Sequence, residues 1–128
     1  MKAYKVFFVG RRDWRSGPVL MSVYARGAAQ VYYTEGEWSE APSWLWEKGY
    51  GLCCFKTEAQ AKDFMESLSS NSQLWEVEMD EVLKELPPRV DLTSLEEKNL
   101  HDQIGEGWPE GTIMARRVKP LRYIRFYL

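Results

Sequence analysis

The chain reads as an α+β protein built mainly from antiparallel strands, and three observations predict this. Aromatic and β-branched segments recur between turn signals, a strand-like run at 51–55 passes directly into a capped helix, and 73–80 alternates apolar with acidic residues. With 128 residues the chain fits one domain spanning 1–128, because single domains cluster at about 100–150 residues. A smaller second unit would lack a core. The predicted architecture is a mainly antiparallel sheet with one well-defined helix packed on it and a long irregular excursion before the C-terminal strands.

Tyr4 to Val9 opens the chain as a strand, the polar stretch Gly10 to Pro18 is a loop, and Val19 to Tyr24 is the returning partner. Arg26-Gly27 marks a turn, Val31 to Thr34 favours a third strand, and Glu35-Gly36 ends it. Ser39 to Trp46 is read as a compact loop. Gly51 to Phe55 resumes the sheet. Thr57 followed by Gln60 is a capping-box pattern, in which the hydroxyl accepts from an early helix N–H and the amide reaches back. Ala61, Phe64, Met65 and Leu68 then recur at helical spacing, giving a helix over about 58–68 with one apolar face. Truncating Phe64 to alanine is accordingly expected to cost about 3–5 kcal/mol.

After a polar turn at 69–72, Trp75, Val77 and Met79 fall on one face of a strand and Glu76 and Glu78 on the other. Pro87-Pro88 and the glycines at 105, 107 and 111 make 81–111 an excursion. Within it, 91–100 fits a short helix capped at Asp91 or Thr93, with a mobile flap as the alternative. Thr112 to Val118 forms a strand, and Leu121 to Leu128 adds another beyond Pro120.

The catalytic and metal-binding signatures are sparse. No glycine-rich phosphate loop is present, and His101, the one histidine, has no cysteine or histidine at metal-ligand spacing. No cofactor is expected. Cys53 and Cys54 are adjacent in a strand, where successive side chains take opposite faces, so both are expected as free, unreactive thiols. The apolar run near the N-terminus is broken by Lys5 and followed by Arg11-Arg12, too short for a signal or a membrane span. A cytoplasmic location is the expectation.

The net charge of −2 conceals a segregation: residues 1–34 carry +5, residues 35–110 carry −12 and residues 111–128 carry +5. Two readings follow. If the terminal strands lie side by side, Arg11, Arg12, Arg15 and Arg26 combine with Arg116, Arg117, Lys119, Arg122 and Arg125 in one positive region. Otherwise the basic ends balance Glu76, Glu78, Asp80 and Glu81 in a mixed, salt-bridged surface.

Of six tryptophans, Trp75 is a core residue, whereas Trp14, Trp38, Trp44, Trp46 and Trp108 lie in predicted loops. A loop indole either plugs the end of the sheet or walls a ligand pocket or partner surface. Tyr4-Lys5-Val6, the run Gly51 to Phe55 leading into Lys56 to Phe64, Leu74 to Glu78, Pro109 to Thr112 and Arg117 to Leu121 together resemble a group of small uncharacterised bacterial and phage proteins. The resemblance implies a compact α+β domain from a phage or mobile element, and it supplies no catalytic residues.

These observations lead to a non-catalytic binding module engaging an anionic, nucleotide-like small molecule or a protein partner. The candidate ligand-binding residues are Arg11, Arg12, Trp14, Arg15, Trp44, Trp46, Trp108, Arg116 and Arg117, because guanidinium groups grip anions bidentately and stack on rings. The acidic balance of the chain disfavours duplex nucleic acid as the partner, and no membrane is expected. The alternative is a small transferase or hydrolase acting on a nucleotide or its derivative, distinguished by turnover of a bound ligand.

Overall fold

A computed structural model describes residues 1–11, 18–22, 31–68, 72–87 and 108–127. It is a mostly antiparallel sheet with two helices. The strands are β1 (Lys2–Arg11), β2 (Pro18–Ser22), β3 (Tyr32–Tyr33), β4 (Ser39–Glu40), β5 (Leu52–Phe55), β6 (Ser72–Val82) and β7 (Thr112–Tyr127), with helices α1 (Ser43–Glu47) and α2 (Glu58–Glu66).

Four strands close a circuit. β1 pairs with β6, β6 with β7, β7 with β5, and β5 meets β1 at Tyr4↔Phe55. From Tyr4, one way round reaches β7 at Arg122 through Glu76, and the other reaches it at Thr112 through Phe55. A stagger of this kind is what closing a sheet on itself requires. The alternation of side chains then separates an inner from an outer layer. Inside, Ala3, Phe7, Leu52, Cys54, Trp75, Val77, Met79, Ile113, Ala115 and Val118 form the main core, joined by Leu20, Tyr33 and Ala41.

The opposite faces of the same strands carry the helices. Val6, Phe55 and Leu74 pack with Ala61 and Met65 of α2, while Met114 packs with Leu45 of α1 and with Tyr50. The expected alternation in β6 is present, with Trp75, Val77 and Met79 buried. Neither Cys53 nor Cys54 is in a disulfide, and they take opposite faces, Cys54 buried in the main core and Cys53 half-buried beside Met114.

Ser39–Glu40 form β4 rather than part of a loop, and the structure departs from the sequence reading at three further places. Residues 43–47 are a short helix where a loop was expected, because the Pro42 carbonyl accepts from the Leu45 and Trp46 N–H groups and Leu45 is buried. The two C-terminal strands are one continuous β7. Pro120 lies where the β6 register shifts between Glu76 and Val77, and such an irregularity tolerates the missing N–H. The capping box is half-formed: Thr57 accepts from the Gln60 N–H at 3.2 Å, but the Gln60 side-chain carbonyl has no partner and sits over Gly111. Gly111 has φ +83°, and a β-carbon there would lie 1.9 Å from Gln60 Oε1. The predicted helix at 91–100 and the rest of 88–107 fall outside the described residues.

Candidate functional site

The inward face of β1 carries an unusual side chain. Lys5 shares its parity with Ala3 and Phe7 and is only 6% exposed. Beyond Tyr4↔Phe55 no further β1 residue pairs with β5, and the Lys5 ammonium donates to the Cys53 carbonyl across that gap. Its Nζ lies 5.4 Å from the Tyr33 ring centroid and 5.7 Å from that of Phe7, within cation–π range. Burial acts to lower the Lys5 pKa, but Tyr33, Cys54 and Cys53 more than offset it, so the net direction is upward and the amine stays protonated. Burial also pushes the Cys54 thiol up to about 12, the nearby Lys5 charge pulling it back only in part.

Five of the candidate site residues gather along one stretch of β7. Trp44 and Trp108 pack on the cluster of Leu45, Tyr50 and Met114, and the Trp108 indole N–H donates to the Pro87 carbonyl at 2.8 Å. Two residues beyond Met114, the Arg116 guanidinium lies 5.8 Å from the centroid of Trp46. Trp46 in turn leans on the main core. Trp44 and Trp108 are therefore partly explained as covers for the Met114 face of the sheet.

Arg117 is the centre of a charged cluster. Its Nε donates to Glu40 at 2.6 Å, and its Nη1 donates to Asp80 at 3.0 Å and to Glu81 at 2.8 Å. These carboxylates raise its pKa, hydrogen bonding to Glu40 and Asp80 foremost. Arg116 reaches the same Glu81 oxygen at 3.5 Å. Glu81 has φ 54°, a left-handed conformation that costs a non-glycine residue about 1–2 kcal/mol. That strained backbone carries the carboxylate contacted by both guanidiniums.

The same alternation continues along the outer face of β6 at Glu76 and Glu78. The N-terminal ammonium pairs with Glu78 at 2.9 Å, and Lys2 and Arg122 flank Glu76 at 3.7 and 3.4 Å. The basic strands thus lie on either side of an acidic one. β6 separates β1 from β7, so the two basic ends are not neighbours along this edge.

Arg11 is not brought to Arg116 and Arg117. It pairs with Pro18, beyond the Phe8↔Ser72 end of the β1–β6 ladder, whereas Arg117 pairs with Asp80 eight residues along β6. Those positions are separated by about 26 Å of strand at roughly 3.3 Å per residue. Arg12, Trp14 and Arg15 lie outside the described residues, as do Arg26 and His101.

Two residues absent from the candidate set join this surface. Trp38 is 44% exposed, and the Lys119 ammonium lies 4.9 Å from its ring centroid. The β4–β7 register, Ser39↔Val118 and Glu40↔Arg117, explains the meeting, because one step back along β4 brings Trp38 opposite Lys119. The sequence carried no signal for a pairing of two-residue β4 with β7.

Among the described residues, no group of three histidine, cysteine or acidic side chains could hold a metal ion, and no helix is long and apolar enough to cross a membrane. No family model, curated protein or solved structure matches the chain.

Proposed function

We propose that this protein is a non-catalytic binding module whose partner is another protein, engaged through the β4–β7 face that carries Trp38, Trp46, Arg116 and Lys119. The observation that carries this reading is the half-exposed Trp38 indole with the Lys119 ammonium against its ring. Tryptophan and arginine are the residue types most enriched where protein interfaces concentrate their binding energy. Trp46 and Arg116 supply a second such pair nearby on the same strand. The Glu81 carboxylate already contacts both Arg116 and Arg117, and pairing made before a partner arrives lowers the ordering cost of an interface.

A protein is favoured over a small anion because the guanidiniums are already engaged. Glu40, Asp80 and Glu81 surround Arg117, so an anion would have to displace carboxylates from a cluster in which they outnumber the arginines. A protein surface, by contrast, can cover Trp38 and meet the mixed charges around it. Selection of a random peptide display library tests this. Enriched peptides should lose most of their affinity when Trp38 is changed to Ala, and Lys119→Glu should alter which charges they carry. Peptides that bind both variants as tightly as the parent protein would defeat the assignment.

A further inference from the structure

A cavity of about 350 Å³ opens between α2 and the turn that precedes β7, away from the tryptophan face. Gln60, Asp63, Phe64 and Ser67 recur at i, i+3, i+4 and i+7, so one strip of α2 forms a wall, adjacent to the buried Ala61 and Met65 stripe. Phe55 and Glu110 complete the opposite side. The buried Phe55 ring and the half-buried Phe64 ring stand 5.1 Å apart, making an aromatic floor, while Asp63 and Glu110 are exposed at the rim.

The hydrogen-bonding character of this lining is one-sided. Both ionisable residues are carboxylates. The Ser67 hydroxyl spends its proton on the Phe64 carbonyl at 2.6 Å, which leaves its oxygen as an acceptor. Gln60 Oε1 is turned over Gly111 and buried, so it is not among the acceptors open to a ligand. The Asp63 and Glu110 carboxylates and the Ser67 oxygen thus offer acceptors beside aromatic rings. A ligand suited to such a lining has a donor-only cationic head and an apolar body, because an ammonium donates three hydrogen bonds and accepts none and is attracted to aromatic faces.

We propose that the cavity is a binding site for a small organic cation: a primary ammonium at the Asp63–Glu110 rim with its apolar body against Phe55 and Phe64. The volume lies at the small end of the range for ligand pockets, about 300–1,000 Å³, which suits an arylalkylamine better than a dinucleotide. The site shares no residue with the proposed protein-binding face, so either reading can fail without the other.

The test titrates the intact protein with 2-phenylethylamine, 2-phenylethanol and 3-phenylpropionate at neutral pH and low salt, following backbone amide shifts by NMR. These probes keep the ring and change the head group. Saturable shifts are expected for the amine alone, confined to Phe55, residues 60–67 and residues 110–111. The double variant Asp63→Asn, Glu110→Gln should weaken the amine about tenfold, since it removes both carboxylates that would pair with the ammonium. Both positions are exposed, so the variant should retain the parent spectrum. Binding of the alcohol as tight as that of the amine, an unchanged affinity in the double variant, shifts centred elsewhere, or no saturable binding by the amine would each overturn the proposal.

Discussion

Met65→Ala should destabilise the protein more than Phe64→Ala, although phenylalanine is the larger side chain. Met65 is 1% exposed and packs among Val6, Phe55, Ala61 and Leu74, so truncation removes a fully buried side chain and leaves a void between α2 and the sheet. Such changes cost about 2–5 kcal/mol. The nine-residue helix can relax toward the sheet to close part of the void, which places the expectation near the lower half, about 2–3.5 kcal/mol. Phe64 is half-buried and lies at the edge of the same cluster with its ring 5.1 Å from Phe55. Its loss should cost about 1–2.5 kcal/mol, combining partial apolar burial with one aromatic contact, below the 3–5 kcal/mol typical of a fully buried phenylalanine. Urea unfolding of both variants, compared at equal slope, measures the order directly. A Phe64→Ala penalty exceeding that of Met65→Ala by more than about 1 kcal/mol would refute the assignment of Met65 as the anchor of α2.

Three further outcomes are expected. The Cys54 thiol, raised from 9.0 to about 12, should hold about a thousandfold less thiolate at neutral pH than an ordinary cysteine and react slowly with a thiol reagent, its burial slowing access further; rapid stoichiometric labelling of Cys54 in the folded protein would contradict this. Because that pKa is higher in the folded chain than in the unfolded one, the associated stability is complete below about pH 9 and is lost as pH rises from 9 toward 12, so urea midpoints should fall over that window and Cys54→Ala should flatten the fall. Gly51→Ala should cost about 1–3 kcal/mol, because its β-carbon would lie 2.6 Å from the Ala115 carbonyl oxygen, a backbone atom that cannot swing aside; a thermal midpoint unchanged from the parent would show that the β5–β7 ladder has slack there.

Much of the sheet was legible because its signals are local. The β6 alternation, the Thr57 cap and the Ala61–Met65 stripe each depend on neighbours within a few residues, and the chain obeys them. What escaped depends on partners distant in sequence. Pro120 reads as a strand terminator until the β6 register supplies an irregularity to receive it. Gln60 reads as half of a capping box until Gly111, fifty-one residues on, supplies the open space its amide occupies instead. Trp38 reads as one loop tryptophan among several until the β4–β7 pairing sets it against Lys119.

The charge pattern shows the same limit in a form that bears on function. A block of basic residues in sequence predicts a basic surface only if the fold keeps oppositely charged blocks elsewhere. Here β6 lies between β1 and β7; its Leu74 packs against α2, and beyond it the outer side carries Glu76, Glu78, Asp80 and Glu81. Glu76 and Glu78 meet Lys2, Arg122 and the N-terminus, while Asp80 and Glu81 meet Arg116 and Arg117. Segregation along the chain therefore becomes alternation across the sheet. The individual exposed pairs contribute little to stability, but like charges directly opposite one another would oppose pairing, so the pattern disfavours any register that sets β1 against β7. An anion approaching Arg117 meets Glu40, Asp80 and Glu81 already in place, whereas the Trp38 ring beside Lys119 remains half-exposed. On this face the accessible chemistry is an indole with a cation against it, which suits contact with another protein better than capture of a free phosphate.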